Sequence, residues 1–220
     1  MENQLFEMHL HTAEVSPCGS IPASEIVPLL KDSGYQGVVV TDHLFPELAD
    51  SFGAARWQDT ITFCLSGYQQ VKALASSSLI VLLGVEIRLR ENNNDYLLYG
   101  ASEELLREKS DLLDLSLSQL IKWVRHHNML LIQAHPFRSN MTVMPVEHLD
   151  GIEVFNGNMR HDSNNDIATA WAKKYNLLGT SSSDFHEYED LAQGGIYFTT
   201  PVDDEKTLVT ALKNREYYLK

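Results

Sequence analysis

Short apolar runs alternate with helix-like segments along most of this 220-residue chain, and that alternation restricts the fold more than any other feature. An apolar run followed by polar residues and an amphipathic stretch is typical of a strand and helix unit. Six or seven such units in a chain of this length favour a small α/β barrel with parallel strands that is closed or nearly closed. Periodicity alone leaves an open parallel sheet as the alternative.

The same pattern predicts the individual elements. Strands are predicted at 5–11, 37–41, 79–90, 96–99, 129–133, 151–155, 178–181 and 195–199. Helices are predicted at 24–33 and 54–76, and at about 116–128, 163–175 and 204–214. Ser24 is a candidate N-cap, and Ser116 with Gln119 matches a capping box. Segment 54–76 keeps a helical period throughout, which predicts one long amphipathic helix.

Charge and composition narrow the classes of function. The chain has 17 basic and 30 acidic residues, which gives a formal net charge of −13. This charge would repel a nucleic-acid backbone. Bound divalent ions could still make one small region of the surface positive. No apolar run is long enough to span a membrane, and the first residues lack the pattern of a secretion signal. The chain has only two cysteines, Cys18 and Cys64, so we expect a cytoplasmic protein without a disulfide framework. From the charge and the apolar runs, we expect no nucleic-acid or membrane partner.

Histidines mark the ends of the predicted strands. Five of the nine histidines lie at or just beyond such an end, namely His9, His11, His43, His135 and His186. Residues i and i+2 of a strand point to one side, so His9 and His11 can present two imidazoles to one ion. Asp184 and His186 repeat this spacing. A pair of this kind is a weak signal alone, but two pairs together favour a metal site.

Glu86 strengthens that interpretation, because a carboxylate inside an apolar strand needs a cation or a polar partner. His43 and His135 also close apolar runs, although His43 could instead be a capping or hydrogen-bonded histidine. Five imidazoles and two carboxylates exceed the ligands of one ion. They predict a cluster of two or three ions about 3.5 to 4 Å apart.

Four ordered blocks carry a resemblance to a known family. They are His9-Leu10-His11-Thr12, Thr41-Asp42-His43, Ala134-His135-Pro136 and Ser183-Asp184-Phe185-His186, with Gly84-Val85-Glu86 between the second and third. This joint pattern resembles the polymerase-and-histidinol-phosphatase (PHP) domain over almost the whole chain, which implies a single domain at 1–220. The resemblance implies a distorted seven-stranded (β/α) barrel, with ions of manganese, iron or zinc at the carboxyl ends of the strands.

The resemblance also implies how the ligands are shared. It assigns one ion to His9, His11, Glu86 and Asp184, a second to His43 and His186, and a third to Glu86 and His135. We expect these seven residues to form the catalytic centre.

The sequence departs from the family pattern at two places. An acid or histidine that many members carry after the first pair is missing, and Glu14 or Cys18 could replace it. Cys18 would select a softer ion such as zinc, but a small residue before a turn glycine is the preferred interpretation of this position. Asp95 stands where the family often has a histidine, and it is either a ligand or a turn residue.

The candidate substrate contacts are Arg138, Asn156, Arg160 and His161, all at or beyond strand ends. Arg138 could bind phosphoryl oxygens with its planar guanidinium, or form a surface ion pair. We therefore expect a metal-dependent phosphoesterase that hydrolyses a small phosphorylated metabolite or nucleotide with a metal-activated water. The alternatives are a metal-dependent hydrolase of amide-type substrates, a nuclease on short single strands, and a non-catalytic domain that has lost its ligands.

Overall fold

The computed structural model describes residues 3–220, and in that range ten strands form one sheet. The strands are β1 (Gln4–Leu10), β2 (Gly37–Val40), β3 (His43–Leu44), β4 (Ile80–Arg88), β5 (Asp95–Tyr99), β6 (Leu130–Gln133), β7 (Gly151–Asn156), β8 (Leu178–Ser182), β9 (Ile196–Phe198) and β10 (Tyr217–Leu219). Their order across the sheet is β10-β9-β1-β2-β4-β5-β6-β7-β8, with β3 beside β4.

The sheet curves into a nearly closed barrel, which confirms the predicted α/β barrel. Its two sides meet where the segment after β8 pairs with the end of β1: Phe185 donates to His9 O and accepts from the amide of His11, both at 3.0 Å. The barrel is not uniformly parallel. Strand β5 runs antiparallel to β4 and β6, and β9 runs antiparallel to β1 and β10.

Eight α-helices accompany these strands in the described range. They are α1 (Ala23–Asp32), α2 (Pro46–Phe52), α3 (Trp57–Cys64), α4 (Ser66–Ala75), α5 (Glu103–Glu108), α6 (Leu117–His126), α7 (Asn165–Tyr175) and α8 (Glu205–Asn214). Short 3₁₀ turns occupy Ala54–Arg56, Leu112–Asp114, Val146–His148 and Tyr188–Asp190. No helix in residues 3–220 combines the length and the apolar character needed to cross a membrane.

Two sequence predictions about helices were wrong. Segment 54–76 is broken between α3 and α4, where Gly67 approaches the loop after β1 so closely that an added Cβ would lie 2.1 Å from Thr12 Oγ1. Ser24 is not the N-cap of α1, because the helix begins at Ala23 and its first amide is bound by the carboxylate of Glu14 at 2.9 Å. Helical periodicity cannot reveal either contact, since both partners are distant in sequence.

Buried apolar side chains form two separate clusters. An outer layer joins the sheet to most of the helices, and a separate inner cluster includes Phe6, Met8, Val39 and Leu82. Helix α8 contributes several side chains to the inner cluster and so helps to close that part of the barrel. Burial of these side chains leaves polar groups concentrated at the carboxyl ends of the parallel strands.

Candidate metal centre

The seven predicted ligands converge at the carboxyl ends of the strands. His9, His11, Glu86, His135, Asp184 and His186 are buried, and His43 is half-buried. Five of the seven line a cavity of about 310 Å³, namely His43, Glu86, His135, Asp184 and His186. Residues separated by almost the whole chain therefore form one compact cluster.

A bulge in β1 aims the first histidine pair at this cluster. Phe6 and Met8 belong to the inner cluster but Leu10 belongs to the outer layer, because the pairing of β1 with β2 shifts between Glu7 and Leu10. The Glu7 carboxylate stabilises the shift: Oε1 accepts from the amides of Met8 at 2.9 Å and His9 at 3.1 Å. Bulges commonly re-aim side chains beside functional sites. Here the bulge turns His9 inward.

Two candidate ligands occupy strained backbone conformations. His135 has φ of 29° and Asp184 has φ of 50°, which side-chain-bearing residues rarely adopt. Each costs on the order of 1–3 kcal/mol unless the surrounding structure compensates. The amide of His135 donates to Glu153 Oε2 at 2.9 Å, one of the contacts that hold this conformation.

Two carboxylates lie at the middle of the cluster. Glu86 Oε1 is 3.4 Å from His9 Nε2 and 3.3 Å from His135 Nε2, whereas Oε2 is 3.4 Å from His11 Nε2 and 2.9 Å from His43 Nδ1. Asp184 Oδ1 is 3.4 Å from His9 Nε2 and 3.6 Å from His11 Nε2. Glu86 therefore touches both ends of the cluster.

Three overlapping groups of donor atoms each fit around one ion, with the atoms of each group within 4.8 Å of one another. We name them the central group (His9, His11 and Glu86), the histidine group (His11, His43 and His186) and the carboxylate group (Glu86, Asp95 and His135). Several of their atoms are buried without a hydrogen-bond partner in residues 3–220, including His9 Nε2, His11 Nε2 and Glu86 Oε1. Buried polar atoms without partners are costly, so the donor set fits divalent metal ions.

Hydrogen bonds on the far side of the rings fix which nitrogen faces the cluster. His9 Nδ1 lies 3.2 Å from Glu153 Oε1, so it donates and leaves the Nε2 lone pair free. His11 Nδ1 lies 3.1 Å from Ser16 Oγ, and that hydroxyl donates to Asp42 Oδ1 at 2.8 Å. Ser16 must then accept from His11, which again leaves Nε2 as an electron-pair donor.

The electrostatics of the cluster also favour a cation. Burial acts to lower the pKa of His9, but Asp184, Glu86 and Glu153 outweigh it and hold the pKa well above its usual range. Burial lowers the pKa of His11, and the neighbouring His186 and His43 lower it further. The closely packed carboxylates therefore attract positive charge to the centre.

Sequence reasoning missed Glu153, which supports several groups from behind the centre. Besides His9 and the amide of His135, its carboxylate accepts from Asn156 Nδ2 at 2.7 Å and from the hydroxyl of Ser182. Glu153 sits in an apolar strand, as Glu86 does, so the argument applied to Glu86 could have found it. The same argument applies to Glu7.

The three ambiguous residues lie in different places. Glu14 binds the amide of Ala23 with both carboxylate oxygens, at 2.9 and 3.1 Å, and the structure places it outside the three donor groups. Cys18 lines the cavity, with Sγ 3.1 Å from His43 Nε2. Asp95 belongs to the carboxylate group but also accepts two hydrogen bonds from Arg88, at 2.8 and 3.0 Å.

Three of the four predicted substrate contacts line the cavity, and the fourth does not. Arg138, Arg160 and His161 line the cavity together with Arg88, whereas Asn156 does not. Asn156 instead uses Nδ2 for Glu153 and for Asp184 at 3.1 Å, behind the centre. Arg138 is not confined to the surface: Nη2 donates to Asp184 Oδ2 at 2.7 Å, so the same residue can support a candidate ligand and face the cavity.

Comparison with known proteins agrees with this arrangement. A family model described as PHP-associated matches residues 162–217, the segment that carries Asp184 and His186. A provisionally assigned metal-dependent phosphoesterase from Bifidobacterium adolescentis has a similar structure, with a TM-score of 0.60, 17% identity and 96% of each chain covered. The chain therefore shares the fold of that protein and is similar to the PHP-associated family model over residues 162–217.

Other solved structures share the fold of this chain. PsfC from Pseudomonas syringae aligns with a TM-score of 0.69 and 16% identity, over 100% of this chain and 92% of that one. An amidohydrolase from Chromobacterium violaceum, solved with bound sulfate and no metal, aligns with a TM-score of 0.59 and 14% identity over 97% of each chain. No curated protein matches the sequence.

Proposed function

We propose that residues 1–220 form a single-domain, metal-dependent phosphoesterase that hydrolyses a small phosphorylated metabolite or nucleotide. The observation that carries this proposal is the cavity, which is lined by members of all three donor groups and by three arginines, Arg88, Arg138 and Arg160. The match of residues 162–217 to the PHP-associated family model and the likeness to a metal-dependent phosphoesterase support a metal-dependent hydrolase. The cavity volume of about 310 Å³ favours a small substrate.

The proposed ligand sets follow the three donor groups. His9, His11, Glu86 and Asp184 would hold one ion, His43 and His186 a second, and Glu86, Asp95 and His135 a third. When bound, manganese, iron or zinc ions supply Lewis acidity toward phosphoryl oxygens and lower the pKa of a water nucleophile. Glu153 and Ser16 hold His9 and His11 in the orientation that such ligands need.

The arginines distinguish an anionic substrate from a neutral one. Arg138 uses Nε for Ser163 at 3.1 Å and Nη2 for Asp184 and Asn156, which leaves Nη1 for a substrate oxygen. Arg160 is held at the rim by Glu187 at 2.6 Å and Asp190 at 2.9 Å. A guanidinium that is already fixed by protein contacts loses little freedom when it binds a phosphoryl group.

Water is the proposed nucleophile, because the serines nearest the centre are engaged elsewhere. Ser182 donates to Glu153, Ser183 Oγ accepts from the amide of Gly194 at 3.1 Å, and Ser181 Oγ accepts from the amide of Gly195 at 3.2 Å. A serine nucleophile would need a neighbouring base and an open approach. These serines are all buried and held by structural contacts.

An amide-type substrate is the second candidate, favoured by the structural likeness to the Chromobacterium violaceum amidohydrolase. The same centre could polarise a carbonyl group. The three cavity arginines favour phosphate over a neutral amide, because a neutral substrate gives them no charge to bind.

A substrate panel tests the proposal. Purified full-length protein, stripped of metal and reloaded in turn with Mn²⁺, Fe²⁺ or Zn²⁺, is assayed with phosphomonoesters, phosphodiesters and amides. We expect metal-dependent hydrolysis of phosphate esters that disappears with chelator and in Asp184→Ala. Hydrolysis confined to amides would replace this proposal with the second candidate, and inactivity of the metal-loaded protein on every ester would contradict it.

A further inference from the structure

The histidine group has an additional side chain at its open edge. The segment after β1 brings Cys18 over the cavity, and two hydrogen bonds hold that segment in place. The amide of Gly19 donates to Ser16 O, and the amide of Ser20 donates to His186 O, both at 2.9 Å. Cys18 is thus presented to the centre by a loop that is attached to one of the candidate ligands.

We propose that the Cys18 thiolate is a protein ligand of the ion assigned to His43 and His186, at the edge of the histidine group, and that this site takes a thiophilic divalent ion of the zinc class. The inference rests on the metal centre of the proposed function but not on the identity of the substrate. Thiolate and imidazole donors together favour zinc-like ions over manganese or magnesium, which prefer oxygen donors.

The distance between Cys18 and His43 fits two ligands of one ion. Cys18 Sγ lies 3.1 Å from His43 Nε2. Zinc–sulfur bonds of about 2.3 Å and zinc–nitrogen bonds of about 2.0 Å place neighbouring tetrahedral ligand atoms about 3.5 Å apart. The ring centroids of His43 and His186 lie 4.3 and 4.2 Å from that of His11, so all three imidazoles crowd into the same space.

A second observation points to a cation at this place independently of the sulfur. His11 is fully buried, and its Nε2 has no hydrogen-bond partner in residues 3–220. The contact of Nδ1 with Ser16 fixes the ring, so Nε2 presents a lone pair to the group. A bare donor atom of this kind fits a bound ion, and Cys18 would add a negative charge to the one that Glu86 already places beside His11 and His43.

Cobalt substitution tests the assignment without relying on activity. Co²⁺ is added to metal-free, full-length protein, and the near-ultraviolet band that marks a cobalt–thiolate bond is recorded while bound cobalt is counted by equilibrium dialysis. We expect the band in the natural protein and in Cys64→Ala, and its loss in Cys18→Ser. Cys64 is the matched control because it is the only other cysteine and is buried in α3.

A second measurement needs no variant. Cys18 is exposed and Cys64 is 1% exposed, so alkylation of the native protein reports on Cys18. We expect Zn²⁺ to protect Cys18 from iodoacetamide. Cobalt binding without the thiolate band, together with unchanged alkylation in Zn²⁺, would overturn the thiolate assignment but leave the metal centre standing. Failure to bind cobalt or zinc at all would remove the centre itself.

Discussion

The histidine group and the carboxylate group meet at Glu86 and offer different ligand atoms to a metal ion. Glu86 Oε2 faces His11 and His43, whereas Oε1 faces His135. The histidine group is built from imidazoles, with Cys18 at its edge. The carboxylate group contains Glu86 and Asp95, and Asp95 is also paired with Arg88. The difference teaches that one ring of strand ends can build neighbouring sites with unlike preferences, because each loop contributes its own donor type.

Arg88 sharpens this contrast. Its guanidinium binds Asp95 and lies 4.2 Å over the ring of Phe45, so a fixed positive charge already stands beside the carboxylate group. Burial and the nearby Glu86 raise the pKa of Asp95 above its usual range. Asp95 thus forms an ion pair with Arg88 on one side and faces the metal centre on the other.

The largest effect is expected for Glu86→Gln, because Glu86 belongs to the central and carboxylate groups and its Oε2 also lies 2.9 Å from His43. Loss of its charge should lower metal content on both sides of the centre and reduce phosphoesterase kcat/KM by more than about 100-fold. Elemental analysis and the ester assay check this. Exposed Glu104→Gln is the control, and wild-type metal content in Glu86→Gln would refute the sharing of this carboxylate.

Glu153→Gln should have the next largest effect, because Glu153 positions His9 without belonging to any donor group. Substitutions behind a metal ligand weaken metal affinity or activity by about 10- to 100-fold. Competition titration with a chelating dye measures the affinity, and exposed Glu189→Gln is the control. Equal affinities of the variant and the natural protein would show that His9 needs no such support.

Arg138→Lys tests the substrate side while keeping a positive charge beside Asp184. We expect metal content to be retained and kcat/KM for phosphate esters to fall at least about tenfold, because lysine lacks the planar guanidinium. Arg138→Ala should lose more, since it leaves Asp184 Oδ2 without its arginine. Arg90→Ala, which removes a surface ion pair with Asp50, is the control. Unimpaired kcat/KM in Arg138→Lys would remove Arg138 from phosphate recognition.

Asp95→Asn is expected to have the smallest effect, because it changes the carboxylate group and leaves the histidine group intact. If Asp95 is a ligand, the variant should bind about one ion fewer, while the histidine group keeps its ion and activity falls less than in the variants above. Asp114→Asn, in a surface pair with Arg90, is the matched control. Unchanged stoichiometry in Asp95→Asn would leave Asp95 as a partner of Arg88 only.

Sequence reasoning could predict the barrel and the convergence of histidines, because strand ends on one edge of a parallel sheet must meet. It could not predict the bulge at Glu7, the left-handed backbone of His135 and Asp184, or which groups Glu153 supports. The contacts behind the centre join distant parts of the chain: Glu7 accepts from the amide of Ser183, and Glu153 accepts from the amide of His135, both at 2.9 Å. Glu14 illustrates the limit, since its spacing alone does not distinguish a ligand from the residue that binds the first amide of α1.

Metal stoichiometry tests the central claim most directly. Full-length protein, purified without chelator and reconstituted with excess Mn²⁺, Fe²⁺ or Zn²⁺, is dialysed and analysed for metal and protein together. The donor groups predict at least two ions per chain, and a third if Asp95 is a ligand. A stoichiometry of one or less after reconstitution with every metal would contradict a multinuclear centre.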